Sequence, residues 1–219
     1  MGQRSIIIAN GEITNYSWHR SLIREDDFIV CADGGARHAL AMGIMPHVVL
    51  GDFDSLSPSV KEDLLNTKCR LESFPAEKDA TDTELALKWC LKQNTQEIII
   101  FGALGSRFDH SMASIFLLAQ IPAGIPARLV NEQNEIYLAR DCTSIEGNPG
   151  EYVSVIPLTP GAYGVGTKGL KYILRDETLK FGTTRGVANE LVKKRAFLEI
   201  KEGWALVIKA WDHPREKER

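Results

Sequence analysis

The first residues that could do chemistry together are Asp52 and Asp54, one residue apart and directly after the apolar run Val48-Val49-Leu50. In an extended chain, residues two apart point the same way, so both carboxylates can reach one point. Carboxylates so placed repel unless a cation lies between them. Magnesium suits the pair, because it takes one or two carboxylates and fills its other positions with water and phosphate oxygens. A turn is the other reading, since Asp and Ser favour turns and caps and Asp54-Ser55 also suits the approach to a helix. Asp82, beyond a later strand, adds a third carboxylate and favours the metal. Lys78 and Arg107 each lie in a loop that also carries Asp. Phosphoryl transfer needs such cations to hold phosphate oxygens as charge moves to the leaving group. Each could instead pair with a surface carboxylate, an arrangement that is nearly neutral in energy. Gly34 and Gly35 suit a tight turn whose N–H groups approach a phosphate. His110, next to Asp109, either touches substrate or completes a helix start. His19, His38, His47 and His213 show no partner pattern.

The elements that must position these groups alternate. Short apolar runs at 5–9, 28–32, 47–50, 70–74, 97–101 and 127–131 read as buried parallel strands. Helical periodicity falls between them, at about 16–24, 35–42, 57–66, 81–93 and 109–120. In the fourth helix Leu85, Trp89 and Leu91 mark the apolar side, and Thr81 with Glu84 forms a capping box. This alternation predicts an α/β, doubly wound, mostly parallel sheet, in which ligands bind beyond the carboxyl ends of the strands. Cys31-Ala32-Asp33-Gly34-Gly35, Gly51-Asp52-Phe53-Asp54-Ser55, Lys78-Asp79-Ala80-Thr81-Asp82 and the stretch 102–110 all fall at such ends. Past residue 131 the pattern changes to short β-rich segments at 136–140, 152–157, 169–174, 178–181, 196–201 and 204–210, with no helix. A C-terminal all-β sandwich or barrel is expected there. Two domains follow, 1–132 and 133–219.

With a net charge of −3 and both signs interspersed, the chain lacks the basic face that a nucleic-acid partner needs. Cys31, Cys69, Cys90 and Cys142 are scattered without a CxxC pair, so neither a zinc site nor a disulfide framework is expected. The opening apolar run is too short for a signal or membrane segment, and Ile6 breaks a myristoylation pattern, so the expected location is cytoplasmic, away from membranes. No Walker A sequence and no complete G-x-G-x-x-G follow the first strand, which weakens P-loop and NAD-binding readings.

The strand-end motifs, in this order and at these separations, resemble those of the thiamine pyrophosphokinase family. Gly169-Leu170-Lys171-Tyr172 and Gly186-Val187-Ala188-Asn189-Glu190 are similar to its pattern in the second half, so the resemblance covers nearly the whole chain. It implies an α/β domain followed by a β-sandwich for substrate binding and dimerisation. It also implies a homodimer with active sites between the α/β domain of one subunit and the sandwich of the other. The implied reaction joins ATP and thiamine to give thiamine diphosphate and AMP, with Mg2+. By the resemblance, Asp52, Asp54 and Asp82 hold the metal. Asp33, Gly34, Lys78, Arg107, Asp109 and His110 surround ATP, with Asp33 and Asp79 completing an acidic pocket. Asp54 or Asp79 orients the hydroxyl, and Asn189 contacts the thiamine pyrimidine. One departure is Ala188, where the family commonly has Ser; the missing hydroxyl removes one hydrogen bond unless water or Thr184 replaces it. Trp204 and Tyr172 either stack on thiamine or pack the sandwich core. A D-x-D metal-dependent glycosyltransferase and a nucleotide- or thiamine-binding sensor are the competing readings.

Overall fold

The computed structural model describes residues 3–74 and 79–215. Six short segments form the first sheet: β1 (Arg4–Ile8), β2 (Phe28–Ala32), β3 (Val48–Gly51), β4 (Arg70–Ser73), β5 (Glu97–Phe101) and β6 (Ala127–Val130). They lie in the order β4-β3-β2-β1-β5-β6, and every neighbouring pair is parallel. Five helices connect them: α1 (Tyr16–Ser21), α2 (Ala36–Ala41), α3 (Pro58–Leu65), α4 (Asp82–Lys92) and α5 (Phe108–Leu117). Helices cover both faces, and for that reason β1 is buried at every position instead of alternating. On one face Ile6 and Ile8 pack with Trp18 of α1, Ala36 and Ala39 of α2 and Leu64 of α3. Cys90 of α4 meets Ser5, which the strand's alternation places on the opposite face. Among the described residues, no helix is long and apolar enough to cross a membrane.

The chain runs outward from β1 through β2, β3 and β4, then returns to the other side of β1 as β5. The carboxyl ends of β1 and β5 therefore diverge into a crevice, the position where open α/β sheets take ligands.

The helix starts follow local chemistry. Ser57 accepts from the Val60 N–H ahead of Pro58, which sits in the first helical turn. Thr81 accepts from the Glu84 N–H at 3.2 Å. The reciprocal half of the expected capping box does not form: the Glu84 carboxylate binds Lys88 and Gln120, whose bonds hold it below the usual carboxylate range. The buried face of α4 is Ala86, Leu87 and Cys90, while Leu85 and Trp89 are half-buried.

Contacts divide the chain into two units between Glu132 and Gln133, with Arg215 belonging to the first. The second unit is an antiparallel sandwich. One sheet orders β12 (Asn189–Glu190), β9 (Tyr152–Pro157), β14 (Ala205–Ala210) and β7 (Asn134–Ala139). The other orders β11 (Glu177–Lys180), β10 (Gly161–Lys168), β13 (Arg195–Glu199) and β8 (Thr143–Glu146). Alternation is clear here: Ala196 and Leu198 of β13 face inward, as do Val153 and Val155 of β9, into one apolar layer.

The expected strand at 169–174 is instead a loop. Gly169 has φ +83°, and only Leu170 forms an isolated bridge, to Leu191. Leu170 and Leu174 are buried as plugs into the core, so their apolar character reports anchoring instead of a strand face. The strand lies just before it, as β10, where Gly161, Gly164 and Gly166 obscure the pattern.

Candidate active site

A cavity of about 830 Å³ opens at the carboxyl ends of the parallel strands. Asn10, Gly11 and Glu12 follow β1, Asp33 and Arg37 follow β2, and Asp52 and Ser55 follow β3. Thr81, Asp82 and Thr83 come from the start of α4, and Gly102, Arg107, His110, Ser111 and Ser114 come from the β5–α5 segment.

Asp33 is the best-buried acid of this wall, at 5% exposure. It opens a single 3-10 turn, Asp33–Gly35, and holds φ +44°, a left-handed conformation unusual for a residue with a side chain. Such strain persists where surrounding structure determines it. Here Gly51 permits the close fit, since a Cβ at that position would stand 2.8 Å from the Asp33 Cβ. Gly35 is required more strictly, because a Cβ there would run into the Ile8 carbonyl oxygen, whereas at Gly34 it would meet only the end of the exposed Asn10 side chain. The Asp33 Oδ1 is buried without a hydrogen-bond partner among the described residues. A buried carboxylate oxygen left so is costly, and a cation or a ligand donor would satisfy it.

Asp52 is half-buried, and its Oδ1 accepts from the Asp54 N–H at 3.1 Å. That bond turns the chain after Asp52, with Phe53 at φ +64°. Asp54 is exposed and does not contribute to the cavity wall; Asp79, also exposed, does not either. Lys78 lies outside the described residues. Among the described residues no three acidic, His or Cys side chains converge as a ready-made metal cluster. Asp33, Asp52 and Asp82 nevertheless line one space, and this donor set fits an ion that keeps most of its coordination to water and phosphate, as magnesium does.

Arg107 and Asp109 form a bidentate pair at 3.0 and 2.7 Å, both well exposed. The Arg107 guanidinium holds the Asp109 carboxyl well below the usual carboxylate range. Arg107 and His110 line the cavity, whereas Asp109 is turned to Arg107. Ser111 ties the Gly105 N–H to α5 at 3.0 Å and so fixes the loop that carries Arg107.

Several wall residues were not among the expected set. Asn10, Gly11 and Glu12 follow the first strand, whose end carries no Asp to mark it, although the strand-end rule covers it equally. Arg37 sits on the first turn of α2 and donates to the Asn10 carbonyl at 3.1 Å. His38, set aside from sequence, is buried. Its Nε2 lies 2.8 Å from the Gly11 carbonyl and its Nδ1 2.8 Å from the Tyr16 hydroxyl. A neutral ring that donates from Nε2 and accepts at Nδ1 satisfies both bonds, and burial lowers its pKa.

In the sandwich, Asn189 is 6% exposed. Its Oδ1 accepts from the Tyr172 and Glu190 N–H groups, each at 2.9 Å, and its Nδ2 donates to the Tyr172 carbonyl at 2.6 Å. Tyr172 is exposed, so it is not part of the core, and Arg140 stands 4.8 Å over the half-buried Trp204 ring. Ala188 has φ +56°, and its N–H donates to the Ser154 hydroxyl at 3.0 Å. Ser154 therefore supplies a hydroxyl beside Ala188, while Thr184 is exposed and contributes its backbone carbonyl to a turn with Val187.

Two family models match this chain. The model described as the thiamin pyrophosphokinase catalytic domain spans residues 19–128, and that described as the thiamin pyrophosphokinase vitamin B1 binding domain spans residues 135–204. A thiamine pyrophosphokinase of Bacillus subtilis is 32% identical over 183 residues, covering 82% of this chain and 86% of the relative. The crystal structure of thiamine pyrophosphokinase from Bacillus subtilis superposes with a TM-score of 0.87 at 28% identity, covering 96% of this chain and all of that one. That of thiamin pyrophosphokinase from Geobacillus thermodenitrificans gives 0.86 at 29% identity, with 96% and 98% covered.

Proposed function

The chain belongs to the thiamin pyrophosphokinase family, and on that premise we propose that its strand-end cavity is the seat of diphosphate transfer from magnesium-bound ATP. The chain is a diphosphotransferase, a thiamine pyrophosphokinase, with ATP as co-substrate and thiamine diphosphate as product. The observation that carries the site assignment is the meeting of Asp33, Asp52 and Asp82 with Arg37 and Arg107 around one cavity at the sheet's switch point.

In this reading Asp52 and Asp82 would hold magnesium from the cavity wall, with Asp33 on the same wall, and Asp54, exposed outside that wall, would turn inward to join them. Magnesium bound there would neutralise charge on the phosphate oxygens. Arg107 and Lys78 bind the phosphate chain, and Asp109 sets the Arg107 fork through their bidentate pair. Gly34, in the tight turn after β2, offers its backbone to a phosphate, and His110 lines the nucleotide's side of the cavity. Asp54 or Asp79, both exposed outside the cavity wall, would turn towards the thiamine hydroxyl to orient it. Its oxygen attacks the β-phosphorus in line, the bond from that phosphorus to the oxygen bridging to the α-phosphate breaks, and AMP leaves as the hydroxyl proton passes to a carboxylate or phosphate oxygen. Positioning and electrostatic stabilisation provide most of the rate.

On the thiamine side, Asn189 acts through Tyr172, whose backbone it grips, and Ser154 offers the hydroxyl that Ala188 lacks; Thr184 edges the same segment. The enzyme works as a cytoplasmic homodimer whose sites are completed by the partner's sandwich, a reading that rests on the family resemblance.

The test is AMP release from ATP and magnesium with and without thiamine, while the mass of thiamine diphosphate is followed. AMP and thiamine diphosphate in equal amounts are expected. ATP binding with neither product would sink the reading of the thiamine side, and a nucleotide sugar split without AMP would point to a glycosyltransferase.

A further inference from the structure

The wall of the cavity after β1 is held from a distance. Glu132, just beyond β6, is 6% exposed. Its Oε1 takes the Thr14 N–H at 3.0 Å, the Thr14 hydroxyl at 2.8 Å and the Asn15 N–H at 2.7 Å. Asn15 is the N-cap of α1, accepting from the Trp18 N–H at 3.0 Å. One buried oxygen thus fixes the far end of the segment that runs from the cavity to α1. The near end is fixed by the Gly11 N–H to the Gly102 carbonyl at 2.8 Å and by the His38 and Arg37 bonds. Burial works against the charge on Glu132, yet the bonds from its own backbone, Thr14 and Asn15 outweigh it and keep the carboxyl below its usual range.

Glu132 is in turn gripped by Arg215. The Arg215 N–H donates to the Glu132 carbonyl at 2.8 Å, and its guanidinium donates to the Asn131 carbonyl at 2.8 Å. The same guanidinium lies 4.5 Å over the ring of Trp18, one turn into α1. The C-terminal segment therefore touches both the anchor and the helix that the anchored segment leads into.

We propose that Glu132 is a positioning residue for the nucleotide side of the cavity, with Arg215 as its clamp. The inference rests on the ATP reading of that cavity. Asn10, Gly11 and Glu12 present their wall only while both ends of the segment are tied. Loosening the Glu132 end makes nucleotide binding carry the ordering of that segment, which weakens the apparent affinity and leaves the bound complex competent.

The experiment measures binding of a non-transferable ATP analogue with magnesium, binding of thiamine, and steady-state kinetics for the full-length protein and three variants. Glu132→Ala is expected to raise the analogue Kd and the KM for ATP by about tenfold with kcat within about threefold, the pattern of lost binding energy. Thiamine affinity is expected to stay as in wild type. Glu132→Gln, which keeps an acceptor in place, is expected to recover most of the affinity. Arg215→Ala, which leaves Glu132 intact, is expected to weaken the analogue by about threefold, through the same fraction of tied segment. Should Glu132→Ala fail to fold, Glu132→Gln and Arg215→Ala still decide: wild-type analogue affinity in Arg215→Ala overturns the clamp. Wild-type affinity in a folded Glu132→Ala, or equal loss for both ligands, overturns the positioning role. If the wild-type protein itself bound no ATP analogue, the cavity assignment would fail first, and that outcome is separate from the others.

Discussion

The two units use polar side chains in opposite ways. In the α/β unit, Asp33, Asp52 and Asp82 line one cavity, and one Asp33 oxygen is left without a hydrogen-bond partner among the described residues. In the sandwich, the Asn189 amide is committed to the backbone of its own neighbour, Tyr172. The first arrangement leaves bonding capacity for something that arrives, while the second spends it on holding a surface loop in shape. Recognition in the sandwich should therefore depend on the shape that Asn189 maintains, and chemistry in the α/β unit on the carboxylates themselves.

The sharpest way to break that contrast is Asp52→Asn. This change keeps the size and the acceptor for the Asp54 N–H but removes the charge. A fall in kcat of about 10²–10³ is expected, on the scale seen when one electrostatic stabiliser is lost, with thermal stability unchanged. Turnover near wild type at saturating magnesium would show that the wall carboxylates are not the working groups. Asn189→Ala tests the other side and should behave differently. It orphans the backbone groups of Tyr172, so the sandwich should lose about 1–3 kcal/mol. The KM for thiamine should rise about tenfold while the ATP value holds, as expected when binding energy for one ligand is removed. A loss confined to ATP would reverse the assignment of the two units.

The same contrast explains what could be read from the chain. Strand positions in the α/β unit were legible because both faces are buried, so runs such as Glu97–Phe101 are continuous and unmistakable. The acidic strand ends were legible because they combine Asp with Gly. Arg37 and His38 were not, because they act on the carbonyls of Asn10 and Gly11 and nothing in the local pattern reports a partner so far away. In the sandwich, the glycines of β10 break the alternation that marks a strand, and 169–174 imitates one because Leu170 and Leu174 are core plugs. A loop anchored by two leucines and a strand look alike in sequence; only pairing partners distinguish them. The Asn189 motif was visible, but the direction of its hydrogen bonds was not.

Histidine chemistry separates the units again. Buried His38 has its pKa lowered by burial, and the carbonyl of Gly11 opposes that effect only in part, while Arg37 and His19 add to it. His19 is likewise lowered by burial against its bonds to Asn15 and its proximity to Glu132. A folded-state pKa below the unfolded value of about 6.5 means that the unfolded chain binds more protons as the pH falls. The α/β unit should therefore lose stability as the pH drops below that value, and the loss should level off once the folded-state pKa is passed. Denaturant unfolding at pH 7.5 and pH 5.5 measures this, and His38→Asn should reduce the difference between the two conditions. An unchanged difference would mean that His38 takes up its proton equally readily in the folded and unfolded chain, so that its bond to Gly11 does not depend on a neutral ring.

The smallest effect tests whether the cavity wall and the fold of the α/β unit can be separated at all. Thr81 lines the cavity and also caps α4, with Asp82 as the first helical residue. Thr81→Ala removes the acceptor for the Glu84 N–H, at a cost of about 1 kcal/mol for a cap of this kind. Because Asp82 takes its direction from that first turn, a frayed cap should also raise the KM for ATP by about threefold, the loosened turn lowering the fraction of molecules ready to bind. Thr81→Ser, which keeps the hydroxyl, should restore both quantities together. If stability falls while the KM stays fixed, the wall does not depend on the helix start. Asp82 would then be positioned by its other contacts, and the contrast between a cavity of outward-facing acids and a self-bonded sandwich would hold without any contribution from helix capping.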